Sequence, residues 1–182
     1  MKIVLIGDSI IRRLSVDQIN NLKERLNNSE LSNLASGKGV DTKELLNQLG
    51  NMDLEDVDYV IVSIGNNDAG KDFGVEKFEE NLNRIIDLIT KKSKLILLMV
   101  SPVDTIRFGN EGIEFNERLI KYYDSEKKLL LNHPEVKAID NWDDFMNMMN
   151  KGEDMHIEDG VHLNELGYKV VFDKIEKIVM KD

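Results

Sequence analysis

Lys2-Ile3-Val4-Leu5-Ile6-Gly7-Asp8-Ser9-Ile10 is the stretch from which the fold can be read. Ile3 to Ile6 run apolar without a break, and Gly-Asp-Ser then stops them. A short continuous apolar run reads as a strand covered on both faces, the signature of a parallel sheet. Gly7 permits a tight turn or a close backbone approach. Asp8 and Ser9 are both good helix N-caps, and Ile10 to Leu26 carries apolar residues at roughly helical spacing. Ser9 therefore falls where a buried parallel strand hands over to a helix. In open α/β sheets ligands bind beyond the carboxyl ends of the strands. A serine there suits a nucleophile, and it equally suits a plain helix cap.

Further strand–helix pairs follow along the chain. Leu31 to Ala35 reads as a weak second strand, and Lys43 to Leu49 as a helix capped by Asp41 or Thr42 and stopped by Gly50. Tyr59 to Ile64 is a β-branched strand ending in a loop of turn residues, Gly65 to Gly70. Val75 to Lys91 is an amphipathic helix, and Leu95 to Val100 a further strand. Val103 to Gly112 reads as loop, Ile113 to Leu131 as helix, and Val136 to Ile139 as the last strand. Asn141 to Met149 is helical in spacing, Lys151 to Val161 is polar loop, and Asn164 to Met180 closes the chain as a helix. The alternation predicts one α/β domain over residues 1–182, with a parallel sheet of about five strands between two helical layers.

Composition narrows the function. The chain has 182 residues, 41% hydrophobic and 32% charged, which suits a globular domain. No apolar run approaches the ~20 residues that span a bilayer, so no membrane span is expected. No basic leader or separate apolar segment marks a signal peptide, and there are no cysteines; both favour the cytoplasm. A net charge of −10 argues against nucleic acid and anionic membranes as partners. No G-x-G-x-x-G follows the first strand and Ser36-Gly37-Lys38-Gly39 lacks a phosphate-loop ending, which disfavours a nucleotide cofactor.

Three loops carry chemistry: Gly7-Asp8-Ser9, Gly65-Asn66-Asn67-Asp68 and Asp159-Gly160-Val161-His162. A parallel sheet gathers the first two at one edge, and the third precedes the last helix and can fold over that edge. A serine hydroxyl needs a base to become a nucleophile, and the His162 imidazole can take its proton. Asp159, three residues earlier, can hold that imidazole in the right tautomer. The oxyanion of acyl transfer needs donors; the Ser9 amide, a glycine amide of Ser36 to Gly39 and the Asn67 side chain are candidates. Asp8 and Asp68 read as local carboxylates that bond loop amides. His156, Asp159 and His162 share a spacing of three that could suit a metal, but Gly160 interrupts the run, so no metal is expected. Trp142, Phe145, Met146 and Met149 read as core or a lid edge.

These motifs resemble those of the SGNH hydrolases, also called the GDSL esterase/lipase family. Gly7-Asp8-Ser9-Ile10 matches the first block, with Ile for the usual Leu; Gly65-Asn66-Asn67-Asp68 matches G-x-N-D; and Asp159-Gly160-Val161-His162 matches D-x-x-H. The second block fits less cleanly: counting back from Thr42 picks Gly39, while counting forward from Asn33 falls between Gly37 and Gly39. The resemblance implies a flavodoxin-like fold and a serine esterase acting on a small-molecule ester without metal or cofactor. It makes Ser9 the nucleophile, His162 the base and Asp159 its orienter, with Ser9, Gly39 and Asn67 as the oxyanion hole. An acyltransferase using the same site, and a non-catalytic flavodoxin-like binding module, are the alternatives. The lack of a long apolar lid favours small acyl groups such as acetyl, with Val103–Gly112 and the region 141–158 shaping the pocket.

Overall fold

The computed structural model describes residues 1–181. Five strands, β1 (Lys2–Gly7), β2 (Glu30–Asn33), β3 (Tyr59–Ser63), β4 (Lys94–Leu98) and β5 (Lys137–Ile139), form one all-parallel sheet in the order β2-β1-β3-β4-β5. The predicted α/β fold with a flavodoxin-like sheet is the observed one. β1 and β3 are in register from Ile3↔Tyr59 to Gly7↔Ser63.

The side chains alternate between two cores, as the pleat requires. Val4, Ile6, Val60, Val62, Leu95 and Leu97 face the layer built from α3 (Thr42–Leu49), α5 (Val75–Thr90) and α7 (Gly112–Leu130). Ile3, Leu5, Tyr59, Ile61, Ile96 and Leu98 face the layer of α1 (Ser9–Arg12), α2 (Val16–Arg25) and α9 (Glu165–Val179). Each such apolar side chain taken fully from water contributes ~1.5–3 kcal/mol. The chain leaves β1 toward one face and β3 toward the other, so a crevice opens beyond the carboxyl ends of these two strands.

Three helical boundaries depart from the sequence reading. Residues 10–26 do not form one helix. Ser15 accepts from the Gln18 amide while the Gln18 side chain accepts from the Ser15 amide, and this capping box starts α2 after the short α1 has ended at Arg13. The turn residues after β3 wind into the short helix α4 (Asn66–Gly70). Within the expected loop 103–112, Asp104 caps the short helix α6 (Thr105–Phe108) by accepting from the Ile106 and Arg107 amides. α8 (Trp142–Asn150) begins where expected; Trp142 stacks on Tyr123 at 4.9 Å and Phe145 is fully buried, so this aromatic pair is core.

Gly7 lies where β1 passes close against the Ser63 backbone of β3, which any side chain at residue 7 would have to clear. Its φ is +123°, and a Cβ there would lie 2.0 Å from the Ser63 carbonyl oxygen. Gly7→Ala is expected to lower the unfolding free energy by about 3 kcal/mol or more, measured from its urea unfolding curve. A loss under about 1 kcal/mol would mean that β1 and β3 part here without penalty.

Candidate active site

Ser9 opens α1 two residues beyond the Gly7–Ser63 approach. Asp8 caps that helix by accepting from the Ile10 amide at 3.0 Å, and its own N–H donates to the Ser63 carbonyl at 2.8 Å. The Ser63 hydroxyl donates to the Asp8 carboxylate at 2.9 Å. The Tyr168 hydroxyl, on α9, donates to the Ile10 carbonyl at 2.7 Å and pins α1 from the other side. The serine is thus held between the sheet edge and the last helix.

Asp159 and His162 arrive on a hairpin. Its arms meet at the antiparallel bridge His156↔Leu163, with Ile157 N–H donating to the His162 carbonyl at 2.8 Å. Gly160, at its tip, has φ +71°, and a Cβ there would lie 2.6 Å from the Phe108 amide nitrogen and 2.8 Å from the Asp104 carbonyl oxygen. The Asp104 N–H donates to the Gly160 carbonyl at 2.8 Å, so α6 docks directly on the tip. Arg107 ties the same two segments through the His156 carbonyl at 3.2 Å and the Asp154 carboxylate.

Three side chains then lie in a line. Ser9 Oγ is 2.7 Å from His162 Nε2, and His162 Nδ1 is 2.6 Å from Asp159 Oδ2. An ionised carboxylate only accepts, so the proton sits on Nδ1 and Nε2 accepts from the serine hydroxyl. Partial burial pushes Asp159 up, but the His162 and Val161 amides and the His162 ring outweigh it and bring it to about 2. The Arg13 guanidinium lies 3.4 Å from the same carboxylate oxygen.

Ser9, His162 and Asn67 share a cleft of about 320 Å³, walled by Phe108, Phe115 and Arg118. Phe108 and Phe115 stack at 5.1 Å with their planes 2° apart. Phe115 and Arg118 come from α7, whose amphipathic pattern gave no sign of a role at the cleft. Phe108 and Glu111 come from the expected 103–112 segment, but no residue of 141–158 lines this cleft. Met146, Met149 and Asp154 line a separate groove of about 310 Å³ beside α6, because the docking of α6 on Gly160 divides the two.

Asn67 Nδ2 donates one N–H to the Val40 carbonyl at 2.8 Å. Gly39, on the neighbouring loop, does not line the cleft; its carbonyl accepts from Lys71 Nζ at 2.7 Å. Asp68 is fully buried and accepts from the Thr42 hydroxyl at 2.6 Å and the Thr42 amide at 3.1 Å, the local role read from the sequence. His156 is buried with neither ring nitrogen hydrogen-bonded, set edge-on to Phe145 at 6.0 Å, and does not converge with His162. Among the described residues no three His, Cys, Asp or Glu side chains are grouped to hold a metal ion.

A parallel sheet of this order between two helical layers, with a serine, a histidine and an aspartate aligned over its switch point, defines a three-layer α/β protein with a candidate active site at its sheet edge. The sequence places it more closely. A profile of the GDSL-like lipase/acylhydrolase family matches residues 5–170, and the chain belongs to that family. No curated protein matches it. Among solved structures it is similar to a member of the lipolytic G-D-S-L family from Veillonella parvula, with TM-score 0.85 and 18% identity over 100% of both chains. It is also similar to an acetyl xylan esterase, with TM-score 0.82 and 23% identity over 98% of this chain and 100% of that one. A lipase/acylhydrolase from Enterococcus faecalis gives TM-score 0.80 and 23% identity over 98% and 95% of the two chains. At these identities the likeness is one of fold. Among the described residues no helix is long and apolar enough to cross a membrane.

The carboxylates around the site set a pH dependence. Burial raises Asp8 to about 7, although bonds from the Ile10 amide and Ser63 hydroxyl oppose it, and burial raises Asp68 to about 6. Burial also raises Glu126, which accepts from the Val100 amide. In the unfolded chain such carboxyls lose their protons near pH 4, while the folded state still holds them, so stability falls as pH rises from there toward 7. Asp159 acts oppositely: its contribution is present above pH ~4 and is lost as pH falls toward 2. The urea midpoint is expected to be higher at pH 5 than at pH 8. Asp8→Asn, which keeps an acceptor for the Ile10 amide, is expected to shrink that difference. An unchanged difference would mean that Asp8 ionises freely in the folded protein.

Proposed function

We propose that this chain is a serine esterase, acting as one domain, that hydrolyses carboxylic esters with a small acyl group through an acyl-enzyme. The observation that carries the reading is the unbroken relay from Ser9 Oγ to His162 Nε2 at 2.7 Å and from His162 Nδ1 to Asp159 at 2.6 Å. In this mechanism Ser9 Oγ attacks the ester carbonyl and its proton passes to His162 Nε2. The imidazolium that forms is stabilised by Asp159. Negative charge develops on the carbonyl oxygen, and the Ser9 amide and the free N–H of Asn67, which line the cleft, are its donors, each worth ~3–4 kcal/mol of barrier. The tetrahedral intermediate collapses, the alcohol leaves with the proton from His162, and the acyl group stays on Ser9. Water, deprotonated by His162, then attacks the acyl carbonyl, and Ser9 leaves with the returned proton.

Two further observations support the reading. The Ser9 amide has no acceptor among the described residues, which leaves it free for an oxyanion. The cleft, at about 320 Å³, is at the small end of ligand pockets, which suits an acetyl-sized group better than a long chain. The family membership is consistent with ester hydrolysis.

Hydrolysis of p-nitrophenyl acetate, butyrate and octanoate by the wild type and by Ser9→Ala tests the proposal. Turnover is expected to fall along the series as the chain lengthens, and Ser9→Ala is expected to lose about 10³-fold or more in kcat. A chelator should leave the wild type unchanged. Equal rates for the two proteins would remove Ser9 from the chemistry and leave it a helix cap.

A further inference from the structure

Lys71 ends α4, four residues after Asn67, and its ammonium reaches back to the loop that faces that helix. Nζ donates to the Gly39 carbonyl at 2.7 Å and to Asp41 Oδ2 at 2.7 Å, with Glu44 Oε2 at 3.5 Å. The same loop is held by α4 at two other points: Asn67 Nδ2 on the Val40 carbonyl, and the buried Asp68 on the Thr42 amide and hydroxyl. Residues 39–42 are therefore joined to α4 residue by residue, from Gly39 through Thr42.

The bonds differ in kind. The Asp68 bonds are buried and hold the start of α3, whereas Lys71 lies at the surface, 44% exposed. What Lys71 controls is a peptide plane. A trans peptide carries its C=O and N–H on opposite edges, so fixing the Gly39 carbonyl toward Lys71 also fixes the Val40 N–H toward the other side. The Val40 carbonyl is in turn the acceptor that holds the Asn67 amide, the one α4 side chain in this set that lines the cleft with Ser9. Without Lys71, Gly37 and Gly39, at φ +88° and +63°, leave this loop free to turn.

We infer that Lys71 is a positioning residue for the Asn67 oxyanion donor: by holding the Gly39 carbonyl it fixes the Gly39–Val40 peptide and, through the Val40 carbonyl, the Asn67 amide. This rests on the esterase reading above. Lys71 touches no substrate; it sets where the Asn67 amide stands when charge develops. Its loss therefore weakens the transition state more than the bound ester, because the oxyanion exists only in the former.

The test compares wild type, Ser9→Ala, Lys71→Met, Lys71→Arg and the double variant Lys71→Met/Asp41→Asn on p-nitrophenyl acetate, with thermal unfolding of each. The double variant matters because Lys71→Met alone strands the largely buried Asp41 carboxylate, while Asp41→Asn removes that charge and keeps a side-chain oxygen to cap α3. Lys71→Met is expected to lower kcat by about 10- to 100-fold with KM within about twofold, the scale of an ångström-sized misplacement of catalytic groups. Lys71→Arg should recover most of that loss, and the double variant should regain thermal stability while its kcat stays low. A kcat for Lys71→Met within about twofold of wild type overturns the inference, as does a double variant whose kcat returns along with its stability. If Ser9→Ala turns over like the wild type, the esterase reading falls and this inference with it. If Ser9→Ala is dead and Lys71→Met is not, only the role of Lys71 is lost.

Discussion

The approach of β1 to β3 at Gly7 and Ser63 is the constraint on which the rest of this molecule depends. A Cβ at residue 7 would sit 2.0 Å from the Ser63 carbonyl oxygen, so only glycine lets β1 end this close to its neighbour. The closeness lets the Asp8 amide reach the Ser63 carbonyl, and it turns the chain sharply into α1 with Ser9 at the first position. The strand that anchors the sheet and the turn that exposes the serine are the same nine residues. Any loosening here would move the serine hydroxyl relative to a histidine that comes from 153 residues further along the chain.

Buried carboxyls hold the loops beyond the central strands in a repeated way. Asp8 after β1 takes the Ile10 amide, Asp68 after β3 takes the Thr42 amide, and Glu126 reaches from α7 to the Val100 amide after β4. The Ile10 and Thr42 amides are first-turn helix donors and the Val100 amide follows the end of β4; each would otherwise be a buried orphan, which is costly. Burial raises the pKa of all three, so the edge bearing the active-site loops is held by groups that resist ionisation. This arrangement gives short loops little freedom in a chain that has no cysteine to form a disulfide. The hairpin carrying Asp159 and His162 is fastened differently, by the contact of Gly160 with α6 and by Arg107, because it follows the helix α8 and not a strand of the sheet.

Much of this was legible in the chain. The three central strands read clearly because each is an apolar run covered on both faces, and β3, the most β-branched, is buried throughout, whereas the edge strand β2 reads weakly because none of its residues is fully buried. The helices read from their apolar stripes. The errors fall where local signals compete. Ile10 to Leu26 looked continuous because the apolar spacing runs through Ser15, whose capping box with Gln18 starts a new helix. Asn66-Asn67-Asp68 looked like a turn because these are turn formers, yet the tertiary bonds of Asp68 to Thr42 stabilise a helical turn instead. At the site, the serine, asparagine and histidine loops stood out by residue type and order. Phe115 and Arg118 did not, because an amphipathic stripe shows which side of α7 faces inward and not what it faces.

The sequence by itself determined the parallel sheet, the order of its layers and the residue types gathered at its edge, since these follow from hydrophobic period, turn chemistry and a few short motifs. Only the tertiary structure decided which atoms meet: that His162 Nε2 reaches Ser9, that Asn67 leans on the Val40 carbonyl, that Lys71 holds the Gly39 carbonyl, and that α6 divides the cleft from the groove beside it. Those contacts join residues 27 to 153 positions apart. Their geometry depends on how helices seat against a twisted sheet, to within an ångström, and no local pattern in the chain encodes a distance of that kind.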